Sequence, residues 1–231
     1  MSKTENSTSK TKILELLKAA DFGIRDINLR KLDAANLPKE MPKAIRDKII
    51  KEINEEKAEF ISDVATTHNK YDSYKKAIDN ISFSLDDDES SGTKKFFALT
   101  GPILDVIENG YTLVVDELDS KLHPNLVSKI VSLFNSKELN KKNAQLIFNT
   151  HDTNLLSSGL FRRDQIWFTN KDRYGEAKLF SLADFKSDEV RKNEPYEENY
   201  IKGKYGAVPF LDFFDSLINV FSKYENEKQK S

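Results

Sequence analysis

The feature that most constrains this chain is a short apolar strand, Thr112-Leu113-Val114-Val115, that ends in two adjacent carboxylates, Asp116 and Glu117. A second apolar run, Gln145-Leu146-Ile147-Phe148-Asn149-Thr150, ends in His151-Asp152. Between them Asn125 to Phe134 carries apolar residues at helical spacing. The order strand, helix, strand predicts a parallel pair joined by a crossover helix, which brings both strand ends to one edge of the sheet. Ligands of open α/β sheets bind at that edge.

Two consecutive acids at such an edge suit phosphoryl chemistry. The first can organise Mg²⁺, and the second can polarise an attacking water. Asp116 and Glu117 take those two places, and a neutral His151 can reach a phosphate as a hydrogen-bonding sensor. The bland alternative is ordinary: apolar strands often end in acids at a loop, and a lone histidine is more often structural. Upstream, Asp86-Asp87-Asp88-Glu89 leads into Ser90-Ser91-Gly92-Thr93, a capping sequence ahead of a helix predicted over Lys94 to Ile107. Helix starts rich in Ser and Gly also offer N–H groups and hydroxyls to anions. Pro102 is expected to bend or break that helix.

The rest of the chain gives organisation more than chemistry. The polar opening through residue 11 reads as a disordered end, with a helix from about Thr11 that buries Ile13, Leu16 and Leu17 and stops at Asp21-Phe22-Gly23. Ile24 to Leu29, Ser62 to Asn69 and Ile81 to Leu85 are candidate strands. From Pro42 to about Glu59 the text is Lys/Glu-rich, with Ile45, Ile49, Ile50 and Ile53 on one helical face, and it reads as an exposed helical arm within residues 42–80. Gln165 to Thr169 and Ala177 to Leu182 predict a hairpin. An apolar helix over Phe210 to Phe221 and a charged tail over 223–231 close the chain. Lysines and arginines (36) nearly balance acids (38), so overall charge does not select nucleic acid as a partner. There is no cysteine and no apolar run of membrane-spanning length, and a cytoplasmic setting is the simplest expectation.

The acid-Ser-Ser-Gly-Thr start, the Asp116-Glu117 strand end, the following Ser120-Lys121-Leu122-His123-Pro124 and the strand ending in His151 resemble ABC-type ATPases in motif and order. The chain is most similar to SMC/RecF-like ATPases of bacterial abortive-infection and phage-defence systems, also at Gly203-Lys204-Tyr205-Gly206-Ala207-Val208-Pro209. The resemblance spans roughly Lys12 to Phe221. It implies a three-layer α/β sandwich with a mainly parallel sheet, the helical arm being an insertion. It also implies ATP held between two protomers of a homodimer. Ser90, Ser91 and Gly92 would then meet the γ-phosphate in the partner's site, Asp116 would organise Mg²⁺, Glu117 would activate water, and His151 would sense phosphate. Ser120 and His123 would lie at the dimer junction. Ser91 stands where the commoner signature has glycine, and His123 where this loop usually ends in aspartate.

One part of that pattern does not occur in the sequence: the phosphate-cradling G-x-x-x-x-G-K-[ST]. The chain is therefore expected to be a C-terminal portion that is inactive alone, with its effector supplied by a neighbouring gene. Two other classes compete. Asp116, Glu117 and Asp119 could form a Toprim-like nuclease cluster, and Glu176-Ala177-Lys178 resembles a nuclease E-x-K fragment. Alternatively the half-domain could serve as a non-catalytic interaction module, with Tyr200 to Phe214 as its surface.

Overall fold

The computed structural model describes residues 3–31, 41–54, 61–186, 194–209 and 217–218. They fall into two compact units, Met1–Asp152 and Thr153–Ser231. In the first unit the chain opens with α1 (Lys3–Ala19), whose Leu17 is fully buried. The helix starts at Lys3 and not near Thr11, so the polar opening expected to be disordered is helical from that point. Its end is sharp: Asp21 and Gly23 both take positive φ, at 59° and 71°, and swing the chain into the first strand.

Strands β1 (Ile24–Lys31), β2 (Ile61–Tyr71) and β3 (Ala77–Ser84) form an antiparallel sheet in that order. Ile24, Ile27, Ala65, Thr66 and Ser84 are buried while Leu29, Ile78 and Ile81 are exposed, so burial in this sheet follows position along the strands and not a two-residue alternation. Between β1 and β2 lies α2 (Lys43–Asn54). The helical arm expected through residue 80 is thus helical only to Asn54 among the described residues. The β-branched and aromatic residues of 61–84 make strands instead.

Helix α3 (Ser91–Asn109) is capped by Ser90 and closed by Gly110 in the left-handed conformation. It runs unbroken through Pro102, contrary to the expected interruption. Phe96, Thr100, Ile103 and Val106 form one buried stripe that continues across the proline. Burial of each large apolar side chain stabilises by about 1.5–3 kcal/mol, enough together to outweigh the ~3 kcal/mol a helical proline costs. Then come β4 (Thr112–Val115), α4 (Pro124–Asn135) and β5 (Gln145–Phe148), with β4 and β5 parallel, Val115 opposite Phe148. Val127, Ile130 and Val131 of α4 are buried.

Two features of the sheets matter here, the second a correction to what was expected. Strands β4 and β5 are not buried on both faces: Val114 is 70% exposed and Ile147 56%. The mainly parallel sheet is also absent among the described residues, where β4–β5 is the single parallel pairing and the others are antiparallel. An apolar run reports that a strand wants cover, and it carries no information about whether the same chain supplies it.

The second unit holds α5 (Asn154–Ser157), the expected hairpin of β6 (Trp167–Lys171) and β7 (Ala177–Ser181), and α6 (Tyr196–Ile201). Its core is aromatic, with Phe168 stacked on Tyr200 and Tyr205. Burial, and then the bond donated to Glu194, hold the Tyr205 phenol far above its ordinary range of ionisation. The expected helix over Phe210–Phe221, apart from residues 217–218, and the tail at 223–231 lie outside the described residues. No described helix is long and apolar enough to cross a membrane.

Candidate functional site

The site begins where β4 ends. Asp116 follows Val115, and at Glu117 the backbone turns into the left-handed region, with φ at 48°. Leu118, fully buried, anchors the loop beyond it. Asn149, one residue past β5, clamps this corner from the neighbouring strand. Its Nδ2 donates to Asp116 Oδ1 at 2.6 Å, its Oδ1 accepts from the Glu117 N–H, and its carbonyl accepts from the Leu118 N–H at 3.2 Å. The parallel register sets this geometry, because Val115 opposite Phe148 makes Asp116 and Asn149 neighbours. Lys95, one turn into α3, donates from its ammonium to the Glu117 carbonyl. Both carboxylates remain exposed.

The loop after Glu117 is wound tightly. The Ser120 N–H donates to the Glu117 carbonyl at 3.0 Å, and the Leu122 N–H to the Asp119 carbonyl at 3.0 Å. His123 caps α4, its Nδ1 accepting from the Asn125 N–H at 3.2 Å, with Pro124 in the first helical position where its missing N–H costs nothing. The His151 backbone N–H points at the Asp119 carboxylate at 3.3 Å, and its exposed ring is left to solvent.

Against this loop lies the start of α3. A Cβ built on Gly92 would stand 2.8 Å from the Lys121 carbonyl oxygen, so glycine is required for the close approach. The Ser90 Oγ accepts from the Thr93 N–H at 3.1 Å and shares a proton with the Thr93 hydroxyl at 2.8 Å. The hydroxyl of Ser90 is therefore committed to capping, whereas Ser91 is exposed at the first helical position. The opening N–H groups of a helix have no intrahelical acceptor, and those of Ser91 and Gly92 remain as donors for an anion.

Direct contacts bring the α3 start at Gly92 against Lys121, Lys95 against Glu117 and the His151 backbone against Asp119, while Ser120 and His123 lie in the same loop without a contact to the other predicted residues beyond the Ser120–Glu117 turn bond. Sequence reasoning missed Asn149 and Lys95 and gave Asp119 no structural part. Asn149 had a legible signal, its place as the first polar residue after the apolar Leu146-Ile147-Phe148, two positions before His151. The Lys95 contact, 22 residues away along the chain, had none.

The donor set suits Mg²⁺ only in part. Asp116 offers one exposed carboxylate, and Mg²⁺ commonly takes one or two such ligands while keeping water and substrate phosphates. No group of three His, Cys, Asp or Glu residues fit to hold a metal occurs among the described residues. Glu176 and Lys178 sit at the β6–β7 hairpin, in the other unit from Asp116.

The chain matches a known family over most of its first unit. The family described as "AAA domain, putative AbiEii toxin, Type IV TA system" covers residues 17–157, more than half of the chain. No curated protein matches the sequence.

Proposed function

The chain belongs to that AAA-domain family, and from this premise we propose that it is the signature and Walker B portion of a dimeric ABC-type ATPase serving phage defence or abortive infection. The observation that carries the reading is the contact of Gly92 with the Lys121 backbone. It sets the start of α3, which in this reading binds phosphate, beside the loop that follows the Asp116–Glu117 pair. In this reading Asp116 holds Mg²⁺ together with the phosphates of ATP. Glu117 orients and deprotonates the attacking water, its backbone fixed by Asn149 and Lys95. The Ser91 and Gly92 N–H groups would reach the γ-phosphate of ATP held by a second protomer, and His151 would sense the γ-phosphate beside Asp116 and Glu117. Mg²⁺, when bound, would neutralise phosphate charge.

The exposed Val114 and Ile147 support the reading of a half-module, since parallel strands are ordinarily covered on both faces. The absent G-x-x-x-x-G-K-[ST] loop implies that the chain alone turns over ATP negligibly. The test mixes the chain with a lobe of the same family that carries this loop and follows association by sedimentation. Association is expected only with ATP and Mg²⁺, and it should persist longer in Glu117→Gln. Turnover by the chain alone that disappears in Glu117→Gln would overturn the proposal, as would Mg²⁺-dependent nicking of plasmid DNA that needs Asp116.

A further inference from the structure

Glu89 stands directly before the α3 cap and has no part in the chemistry above, yet its side chain is only 9% exposed. One of its oxygens, Oε1, accepts the Thr66 hydroxyl at 2.5 Å and meets His68 Nε2 at 2.7 Å. Both partners belong to β2, two residues apart on the same face. Thr66 is wholly buried, so Glu89 is the acceptor its hydroxyl depends on. The His68 ring is held in turn, packed against Phe83 with centroids 5.1 Å apart. The acidic run ahead of Glu89 is folded back on β3, with Ser84 N–H donating to Asp88 Oδ2 at 2.8 Å and Glu89 N–H to the Ser84 carbonyl at 3.3 Å.

The turn Ser90–Thr93 is therefore held from two sides. Gly92 rests on the Lys121 backbone, and Glu89 is tied through its carboxylate to the sheet. A buried carboxylate in a low-dielectric setting is costly unless its bonds are made, and that cost is what gives the tether its stiffness. We propose that Glu89 is a positioning residue: its bonds to Thr66 and His68 fix the direction in which Ser91 and Gly92 present their N–H groups and hydroxyl. The consequence for nucleotide rests on the function proposed above; the tether does not.

The test uses the full chain with Glu89→Ala, Glu89→Gln and Thr66→Val. Amide hydrogen exchange is read by NMR at Thr93 and Lys94, the first amides of the helix that are bonded, both to Ser90, with Ile103 and Val106 of the same helix as internal reference. Glu89→Ala should speed exchange at the first turn about tenfold and at the reference residues less than about twofold, the mark of local opening. Glu89→Gln keeps an oxygen that can accept from both Thr66 and His68, and should stay within about threefold of wild type. Thr66→Val, which removes one donor without changing shape, should lie between them. Equal acceleration along the whole helix, or none at Thr93, would overturn the tether. ATP-dependent association with the loop-bearing lobe is the second readout, expected about tenfold weaker in Glu89→Ala and rescued in Glu89→Gln. Loosened exchange with unchanged association would overturn the positioning role. Wild type that never associates would refute the proposed function, while exchange still decides the tether.

Discussion

Replacing Gly92 by alanine tests the contact on which the site depends. The added Cβ would sit 2.8 Å from the Lys121 carbonyl oxygen, well inside ordinary van der Waals contact, and the obstacle is backbone. That backbone has little freedom to retreat. Lys121 already has φ at 62°, and the buried Leu118 and Leu122 pin the loop on both sides. Overpacking of this kind costs about 1–3 kcal/mol. Alanine recovers part of that, since it is up to ~1 kcal/mol the better helix former in a helix interior and less so in the first turn. The net expectation is a loss of about 1–2 kcal/mol, or roughly 2–8 °C in Tm for a chain of this size. Urea midpoints and thermal circular dichroism measure it, with Ser91→Ala as the control, exposed and expected within about 0.5 kcal/mol of wild type. If Gly92→Ala is as stable as wild type or more so, α3 does not start against this loop, and the argument for a shared site fails with it.

Gly110→Ala should cost more, about 2–4 kcal/mol by urea unfolding: φ is 75°, and the new Cβ would meet the Lys142 carbonyl oxygen at 2.6 Å. Lys75→Gly should stabilise by up to about 1 kcal/mol, because Lys75 holds φ at 62° where the matching turn of the second hairpin has Gly175. In both turns an aspartate, Asp72 or Asp172, accepts two backbone N–H bonds at 2.9 Å, so the comparison is like for like. The Lys10 ammonium, 2.8 Å away, holds the Asp26 carboxyl below its usual range. The ionised form is thus favoured in the folded state, and its contribution is present above the unfolded carboxylate pKa of about 3.9 and lost as pH falls through the lower folded value. Both side chains are about two-fifths exposed, so Asp26→Asn should cost no more than about 0.5 kcal/mol at pH 7. The difference should vanish in strong acid and shrink in high salt.

What the sequence made legible is what short stretches decide. Ser90 read as part of a capping sequence because a hydroxyl three residues ahead of a free N–H needs no distant partner, whereas the cap that His123 makes went unread. The β4–α4–β5 order and the β6–β7 hairpin followed from periodicity and turn residues. The failures are non-local. Pro102 looked like a breaker until the buried stripe on both sides of it was known, and the polar start of α1 looked unable to order itself. Asn149 reached its role through the register of two strands, and Glu89, lost in an acidic run, became a buried acceptor only when β2 was laid beside it.

The exposure of the site also constrains its chemistry. Two unit charges 4 Å apart interact by about 1 kcal/mol in water and about 4 kcal/mol at the effective dielectric of a partly enclosed protein site. Asp116, Glu117, Ser91 and His151 all face solvent, so their electrostatic hold on a phosphate is at the weak end of that range. The same four groups gain strength only when a second surface excludes water from them. Under the proposed function the covering surface must bring cationic groups or backbone donors, because Asp116 and Glu117 would otherwise repel the phosphates that this reading has them act on. Near this corner the chain supplies Lys95, whose ammonium is engaged with the Glu117 carbonyl. A lobe bearing a phosphate loop and its lysine meets both needs in one contact, covering the acids and neutralising the nucleotide. For this geometry, association is therefore the step that would make the acid pair catalytic.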